Sequence, residues 1–348
     1  MATDPFALAC PRPLRHDTVQ MAHGGGGRLM KELIEGLFLP ALGADPAGPH
    51  DSAVIEAGGA RLAFTTDGFV VQPRVFPGGD MGELAVFGTV NDLAMAGAKP
   101  LALSTAFILE EGLLFSELAG LVASMKLAAD RCGVQLATGD TKVVDRGKAD
   151  GIFITTAGIG LIPPGVDIHP RRVQPGDAVI VSGDLGRHGI AVMSVREGLA
   201  FESPVTSDCG PVHHLAGALL DAGLNVHCLR DPTRGGLASV LNEIATTAKV
   251  AIEAEEAAIP VDEAVAAACE ILGLDPLYVA CEGRMVVFLP EAQAEQALAV
   301  LQAAPEGTGA ARIGRVTPGP AGRVSLRTSL GTSRLLDLLS GEQLPRIC

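Results

Sequence analysis

From residue 28 the chain alternates between helical and strand periodicity. RLMKELIEGLF carries Leu29, Leu33, Leu37 and Phe38 at helical spacing and runs into Pro40, which predicts a helix that stops there. SAVIEA (52–57) and RLAFTTDG (61–68) flank Gly58-Gly59 and predict the two strands of a hairpin. ELAVFGTVNDLAMAGA (83–98) reads as a helix, LALSTAFIL (101–109) as a strand of nearly continuous apolar character, and FSELAGLVASMKLAADRCG as a helix ending at Gly133. VQLATGDT and GIFITTAGIGLI are strand patterns. The polar, Pro-containing stretch 163–176 interrupts the alternation and reads as a linker. The same style resumes with the strand DAVIVSGD and helices near 187–198, 211–222 and 234–248. FTTDG and IVSGDLG both place Asp and Gly just after a strand, a loose internal echo.

The expected organisation is an arm and glycine-rich segment (1–42), an N-terminal domain (43–162), the linker (163–176), a C-terminal domain (177–330) and a tail (331–348). Two domains suit 348 residues at roughly 100–200 residues each. The alternation and the 43 glycines indicate an α/β architecture, with helices covering the sheets in both halves. With 48% apolar residues but no Trp, the cores must be built from Ala, Val, Leu and Ile.

A net charge of −14 argues against nucleic acid as a partner, because phosphate contacts need clustered Lys and Arg. The seven cysteines include no CxxC pair, which argues against a zinc site, and an odd count in a long chain argues against a disulfide framework. The N-terminus lacks the basic and apolar regions of a signal peptide, and no apolar run reaches the roughly 18–20 residues of a membrane span. The expectation is a soluble, cytoplasmic protein.

Asp51, Asp67, Asp92, Asp140 and Asp231 all lie at strand ends or near helices, where a lone Asp is usually a cap. Asp92 stands apart: its neighbours are apolar or small, and a buried carboxylate needs a cation or donors. Several such groups converging would suit Mg²⁺, which takes oxygen ligands. The run HGGGGR is neither a P-loop nor a dinucleotide fingerprint. It is read either as a hinge or as a loop whose amides face phosphate, and RDPTRGGL, with Arg234, has the same shape. Lys142 follows GDT at a strand end. Glu282, in ACEGR, is read either as a surface turn or as a half-buried carboxylate with a raised pKa, as a general base requires. Cys348 is the last residue. Chain ends are normally mobile, so the expectation is a thiol outside any core, on an arm that is loaded at one place and delivered to another.

The segments AHGGGGRLMKELI, SAVIEAGGARLAFTTDGFVV, PGGDMGELAVFGTVNDLAMAGA, FILEEGL, ATGDTKVVDRG, VSGDLGRHGIAV, RDPTRGGL, ACEGR and the terminal PRIC closely resemble the HypE family of hydrogenase maturation proteins over nearly the whole chain. That family belongs with the aminoimidazole ribonucleotide synthetase and selenophosphate synthetase group. The resemblance implies a two-domain PurM-like α/β (α+β) fold, a homodimer paired through the N-terminal sheets, a sandwich-like C-terminal domain and a mobile tail. It implies ATP held by Gly25, Gly26, Asp67, Asn91, Asp140, Thr141 and Arg234, and metal held by Asp51, Asp67, Asp92 and Asp231. Cys348, Lys142 and Glu282 are the implied catalytic residues. The family's glycine run is more often HGSGG, read here with its serine at Gly26. The implied reaction starts when the carbamoyltransferase HypF loads Cys348. ATP-dependent dehydration then gives a thiocyanate, and the cyano group passes to iron on a HypC–HypD complex. Two competing readings are a selenophosphate synthetase, whose glycine-rich segment usually carries a reactive Cys that HGGGGRLMK lacks, and a non-catalytic scaffold presenting Cys348.

Overall fold

The computed structural model describes residues 16–43, 50–199, 205–339, 341, 344 and 346–348. Cys10 and most of the expected N-terminal arm lie outside the described residues.

The glycine run leads into helix α1 (Arg28–Leu33), a π-helical turn (Ile34–Phe38) and α2 (Leu39–Leu42), with Pro40 near the start of α2. The helical run continues through Pro40 and ends at Leu42, two residues past the expected stop, with Gly43 at its C-cap. Strands β1 (Ala53–Ala57) and β2 (Ala60–Phe69) form the expected hairpin about Gly58-Gly59. Two short strands, β3 (Val75–Phe76) and β4 (Gly79–Asp80), lead to helix α3 (Met81–Met95). Strand β5 (Lys99–Glu110), helix α4 (Phe115–Cys132), β6 (Gln135–Val144) and β7 (Ile152–Ile162) complete the N-terminal half.

The first sheet has the order β1-β2-β7-β5-β6, with β5 and β6 the parallel pair. Helices α3 and α4 cover one face. Along β7, Ile152, Ile154 and Ile162 point into the core, while Ile159 and Leu161 on the other face are about two-fifths exposed. The helices therefore cover one face of this sheet and leave the other open. Phe64, opposite Ile159, and Ile108 extend the uncovered apolar surface. Gly158 makes the close helix–sheet contact possible. A Cβ there would lie 2.8–2.9 Å from the side chains of Leu103, Leu93 and Thr89.

Helix α3 is buried almost throughout, as its apolar sequence requires. Asp80 caps it, accepting from the amides of Gly82 and Glu83 at 2.7 and 3.0 Å. Buried Thr89 is satisfied by a hydrogen bond to Thr156.

The stretch expected as a linker is packed down. Ile168 and Val173 are buried, and the His169 amide donates to the carbonyl oxygen of His227 at 2.9 Å. Then follow β8 (Asp177–Val181), α5 (Arg187–Arg196), α6 (His213–Asp221), β9 (Cys228–Arg230), α7 (Gly236–Ala248), β10 (Ala251–Glu255), α8 (Glu263–Leu272), β11 (Val286–Pro290), α9 (Ala294–Gln302), β12 (Ala311–Thr317), β13 (Arg323–Arg327) and β14 (Ser333–Leu335). They build a seven-stranded sheet of order β14-β13-β10-β12-β8-β11-β9. Both faces of its centre are covered, which explains the unbroken apolar run AVIV in β8. Ala178 and Ile180 join the cluster with Leu215, Leu219 and Leu301 of α6 and α9. Val179 and Val181 join the one with Leu237, Leu241 and Ile244 of α7.

The tail runs back to the N-terminal half. Ile347 and Cys348 join the core cluster of Phe69, Val71, Phe76 and Phe87. The expectation that the terminal cysteine lies outside any core on a free arm is therefore corrected: Cys348 is 8% exposed. Main-chain bonds dock it, from the Val70 amide to a main-chain oxygen of Cys348 (3.1 Å) and from the Gln72 amide to the Arg346 carbonyl oxygen (3.4 Å). Arg346 adopts φ +52, uncommon for a residue with a Cβ. Its side chain donates to the Val70 carbonyl oxygen at 3.1 Å and pairs with Asp150.

Candidate active site

A cavity of about 310 Å³ opens where the two halves meet the glycine-rich segment. One wall is polar: Asp51, Thr65, Asp67, Asp92, Arg230, Asp231, Arg234 and Glu282. The other is largely apolar, from Met30, Ile34 and Leu39.

The acidic wall is assembled from four separate elements. Asp67 lies on the inner face of β2, and Gly88 of α3 faces it: a Cβ at residue 88 would lie 3.1 Å from the Phe69 ring and 3.7 Å from Asp67 Oδ2. Asp92 follows one turn later on α3 and accepts from Thr65 Oγ1 at 2.8 Å. Asp51 precedes β1, and Asp231 follows β9. Carboxylate oxygens of Asp51, Asp92 and Asp231 all lie within 4.8 Å of one another.

Burial raises the pKa of Asp92 well above the usual carboxylate range, and Asp231, Asp51 and Asp67 push it further; the Thr65 bond opposes them. Asp231 is raised in the same way by burial and by Asp51, with Arg230 pulling against it. Asp67 is raised by burial against the pull of Arg234. Arg230 binds Asp51 Oδ1 (2.8 Å) and Glu243 (2.7 Å), while Asp51 Oδ2 is buried without a hydrogen-bond partner. Converging hard oxygen donors, one of them unpartnered, fit a divalent cation such as Mg²⁺.

Glu282 is buried and its Oε1 has no hydrogen-bond partner. Burial raises its pKa well above the usual range, helped by Asp231, Asp67 and Asp208 and opposed by Arg234. Asp208 fixes its backbone: Oδ2 accepts from the amides of Glu282 (3.2 Å) and Gly283 (3.1 Å). Residue 283 must be glycine, since a Cβ would fall 1.8 Å from the Asp208 carbonyl oxygen. Glu282 is thus a buried carboxylate rather than a surface turn. The Cys348 thiol sits in the same field. Burial raises its pKa, Arg234 opposes this, and Glu282, Asp67 and Asp231 add to it.

Of the residues singled out in the sequence, Gly26, Asp51, Asp67, Asp92, Asp231, Arg234 and Glu282 line the cavity. Cys348 does not line it, but the charges of Arg234, Glu282, Asp67 and Asp231 act on its thiol. Gly25 lies in a small adjoining space with Arg234, Leu344 and Ile347. Asn91 does not line the cavity. Its amide bridges α3 to the C-terminal half, donating to the Gly210 carbonyl oxygen (3.0 Å) and accepting from the Val212 amide (2.8 Å).

Asp140, Thr141 and Lys142 are not brought to this cavity within the chain. They lie on the exposed edge strand β6, where Lys142 pairs with Asp140 at 2.6 Å. Register places Lys142 beside Ile108, on the sheet face turned away from α3. The reading of Gly26 as a serine position is also corrected. Matched from His23, HGSGG puts its serine at Gly25. Gly26 itself has φ +73 and would place a Cβ 2.5 Å from the Arg234 carbonyl oxygen. Sequence reasoning missed Arg230, although it adjoins Asp231 in the same motif, and Asp208, whose role depends on a contact 74 residues away.

The AIR synthase related protein N-terminal domain matches residues 49–162 and its C-terminal domain residues 174–327. Carbamoyl dehydratase HypE of Rhodobacter capsulatus is 53% identical over 340 residues, 96% of this chain and 99% of its own. The solved structure of hydrogenase maturation protein HypE in complex with ATP is 47% identical with a TM-score of 0.81, over 95% of this chain and 100% of that one. A HypE–HypF complex gives a TM-score of 0.84 at 44% identity, over 88% and 99%. With the AIR synthase related domains in both halves and this likeness along nearly its full length, the chain belongs to the HypE carbamoyl dehydratase family.

Proposed function

We infer that this chain uses ATP to dehydrate a carbamoyl group carried on the thiol of Cys348, giving a thiocyanate for the cyanide ligand of hydrogenase iron. The observation that carries this reading is Cys348 itself, docked in the field of Glu282, Arg234 and the acidic cluster. The packing of Ile347 and the main-chain bonds to Val70 and Gln72 hold the thiol there.

An amide oxygen is a poor leaving group. In the reaction the carbamoyl oxygen takes the γ-phosphoryl group of ATP, the bond to ADP breaks and one N–H proton leaves. The C–O bond then breaks, inorganic phosphate departs and the second N–H proton leaves as the nitrile forms. Phosphoryl transfer needs positioning and charge neutralisation above all. Gly26 amide geometry and Arg234 suit the phosphates, and the Met30–Ile34–Leu39 wall suits an apolar base. Mg²⁺ on Asp51, Asp92 and Asp231, with Asp67 beside them, would neutralise this acidic wall and the nucleotide's phosphates. Glu282 is the base for the N–H proton.

Lys142, exposed on β6, would serve another copy of the chain. The uncovered apolar face bearing Phe64, Ile108 and Ile159 supports a homodimer through the N-terminal sheets, in which Lys142 and Asp140 of one chain serve its partner's cavity. The ATP and HypF complexes of relatives support ATP as the co-substrate and HypF as the carbamoyl donor, and the family role supports HypC–HypD as cyano acceptor. Delivery to either protein requires the docked tail to leave. No helix among the described residues is long and apolar enough to cross a membrane, consistent with action beside cytoplasmic partners.

The test is mass spectrometry of the C-terminal peptide after incubation with the carbamoyltransferase, carbamoyl phosphate and ATP. A carbamoyl adduct that then loses the mass of water is expected. An adduct that never loses water would leave only a scaffold.

A further inference from the structure

The motif SGDLGRHGIAV contains a histidine that the dehydration chemistry does not use. His188, in the first turn of α5, is fully buried, and burial lowers its pKa, which keeps it neutral. Its ring packs edge-on against Phe76 at 5.2 Å between centroids. Both ring nitrogens have partners. Nε2 lies 2.7 Å from the carbonyl oxygen of Ile347, and Nδ1 lies 2.9 Å from Ser207 Oγ.

These partners fix the tautomer. A carbonyl oxygen can only accept, so Nε2 carries the proton and donates to Ile347. Nδ1 must then accept, and Ser207 donates to it. Ser207 Oγ in turn accepts from the Cys209 amide at 2.9 Å. Between Ser207 and Cys209 lies Asp208, which accepts from the His188 amide through Oδ1 (2.9 Å) and from the Glu282 and Gly283 amides through Oδ2. One short loop therefore holds both the ring that grips the tail and the backbone of Glu282.

We propose that His188 is a positioning residue for the dehydration. Its Nε2–H holds the Ile347 carbonyl, in the tautomer set by Ser207, and so registers the Cys348 sulfur against Glu282. This rests on the carbamoyl dehydratase reading for its catalytic consequence. The docking itself does not depend on that reading.

The experiment follows alkylation of Cys348 by iodoacetamide in the unmodified full-length protein, read by mass spectrometry of the C-terminal peptide. Thermal stability and ATP binding are measured alongside. Loss of a buried hydrogen bond shifts such an equilibrium by roughly tenfold. His188→Ala is therefore expected to speed alkylation about tenfold, with ATP binding retained. His188→Gln, whose amide N–H can replace the donor, should restore much of the protection. Ser207→Ala, which frees the tautomer, should lie between wild type and His188→Ala. In the carbamoylated protein, single-turnover loss of water should fall in the same order. Wild-type alkylation rates in a folded His188→Ala protein would overturn the proposal, as would no rescue by His188→Gln. If His188→Ala does not fold, an unchanged rate in Ser207→Ala overturns it. Alkylation needs no carbamoyl donor, so altered protection without any dehydration in wild type would sink the enzymatic reading and leave the docking.

Discussion

The amide of Val70 donates to a main-chain oxygen of Cys348 at 3.1 Å, which ties the last residue of the chain to the segment just past the end of β2. Asp67 lies three positions earlier on that strand. The strand that supplies a carboxylate to the cavity therefore leads directly to the docking place of the thiol. The bonds that hold the tail go mostly to main-chain atoms, so a group added to the sulfur need not break them.

The proposed role of Glu282 separates chemistry from binding. Glu282→Gln keeps the shape and the Asp208 contacts, since these use the backbone. It removes the proposed base. We expect dehydration of the carbamoylated tail to slow by about 10²–10⁴-fold, with ATP binding and carbamoylation retained. Cys348→Ala should abolish cyano-group formation altogether while ATP still binds. Mass spectrometry of the tail together with nucleotide titration reads both. Dehydration at the wild-type rate in Glu282→Gln would remove Glu282 as the base.

Much of this site was legible before the fold. The strand–helix alternation, the hairpin at Gly58-Gly59 and the buried course of α3 follow from local periodicity. The awkward carboxylate of Asp92 on an apolar helix pointed to the cluster. What was not legible depends on long-range contacts. The docking of Cys348 uses Val70 and a histidine 159 residues from Ile347. Asn91 looked like a ligand residue beside Asp92, but one helical step turns it toward Gly210 and Val212. The open face of the same sheet carries Phe153, Ile159 and Leu161 of β7, as apolar as the core face, so periodicity could not say which side the helices cover.

The position of Lys142 gives a test across chains. Lys142 is largely exposed, so Lys142→Ala should change stability by no more than about 0.5 kcal/mol. It should lose dehydration. If Lys142 serves the partner's cavity, Lys142→Ala and Glu282→Gln should complement when mixed, because a mixed dimer has one cavity with both groups intact. The mixture should dehydrate carbamoylated tails that neither variant processes alone. Absence of recovery in verified mixed dimers would place Lys142 and Glu282 in the same chain's reaction.

Arg230 joins Asp51 and Glu243 through its guanidinium and is half-buried, while the Asp51 carboxylate it pairs with is 8% exposed. Desolvation lowers its pKa, but the attraction of Asp51, Glu243 and Asp231 together outweighs this and raises it, so it stays charged. Arg230→Met would leave Asp51 buried without its counter-charge, beside Asp92 and Asp231. Breaking a buried pair on one side costs about 3–5 kcal/mol. Denaturant unfolding of Arg230→Met should show a loss of that size, partly recovered in Arg230→Met with Asp51→Asn. A loss below about 1 kcal/mol would mean the pair behaves as a surface bridge.

The acidic cluster also sets a pH dependence whose sign can be worked out. Asp92, Asp231 and Glu282 have folded-state pKa values raised well above the ordinary ones, chiefly by burial. Such groups favour the folded state most when protonated. Their contribution is fully present below the unfolded carboxylate range of about 4 and is lost as pH rises through the folded values. In chelator, stability should therefore be eroded by this cluster from about pH 4 upward. Asp92→Asn removes the group that Asp231, Asp51 and Asp67 all push upward, so its stability should fall less steeply than wild type over that range. Mg²⁺ should raise the wild-type Tm at pH 8 more than at pH 5, and should raise that of Asp92→Asn far less. Thermal unfolding of both proteins, with and without Mg²⁺, measures this. Parallel pH curves for the two proteins would show that the three carboxylates are already neutralised by something other than a bound cation.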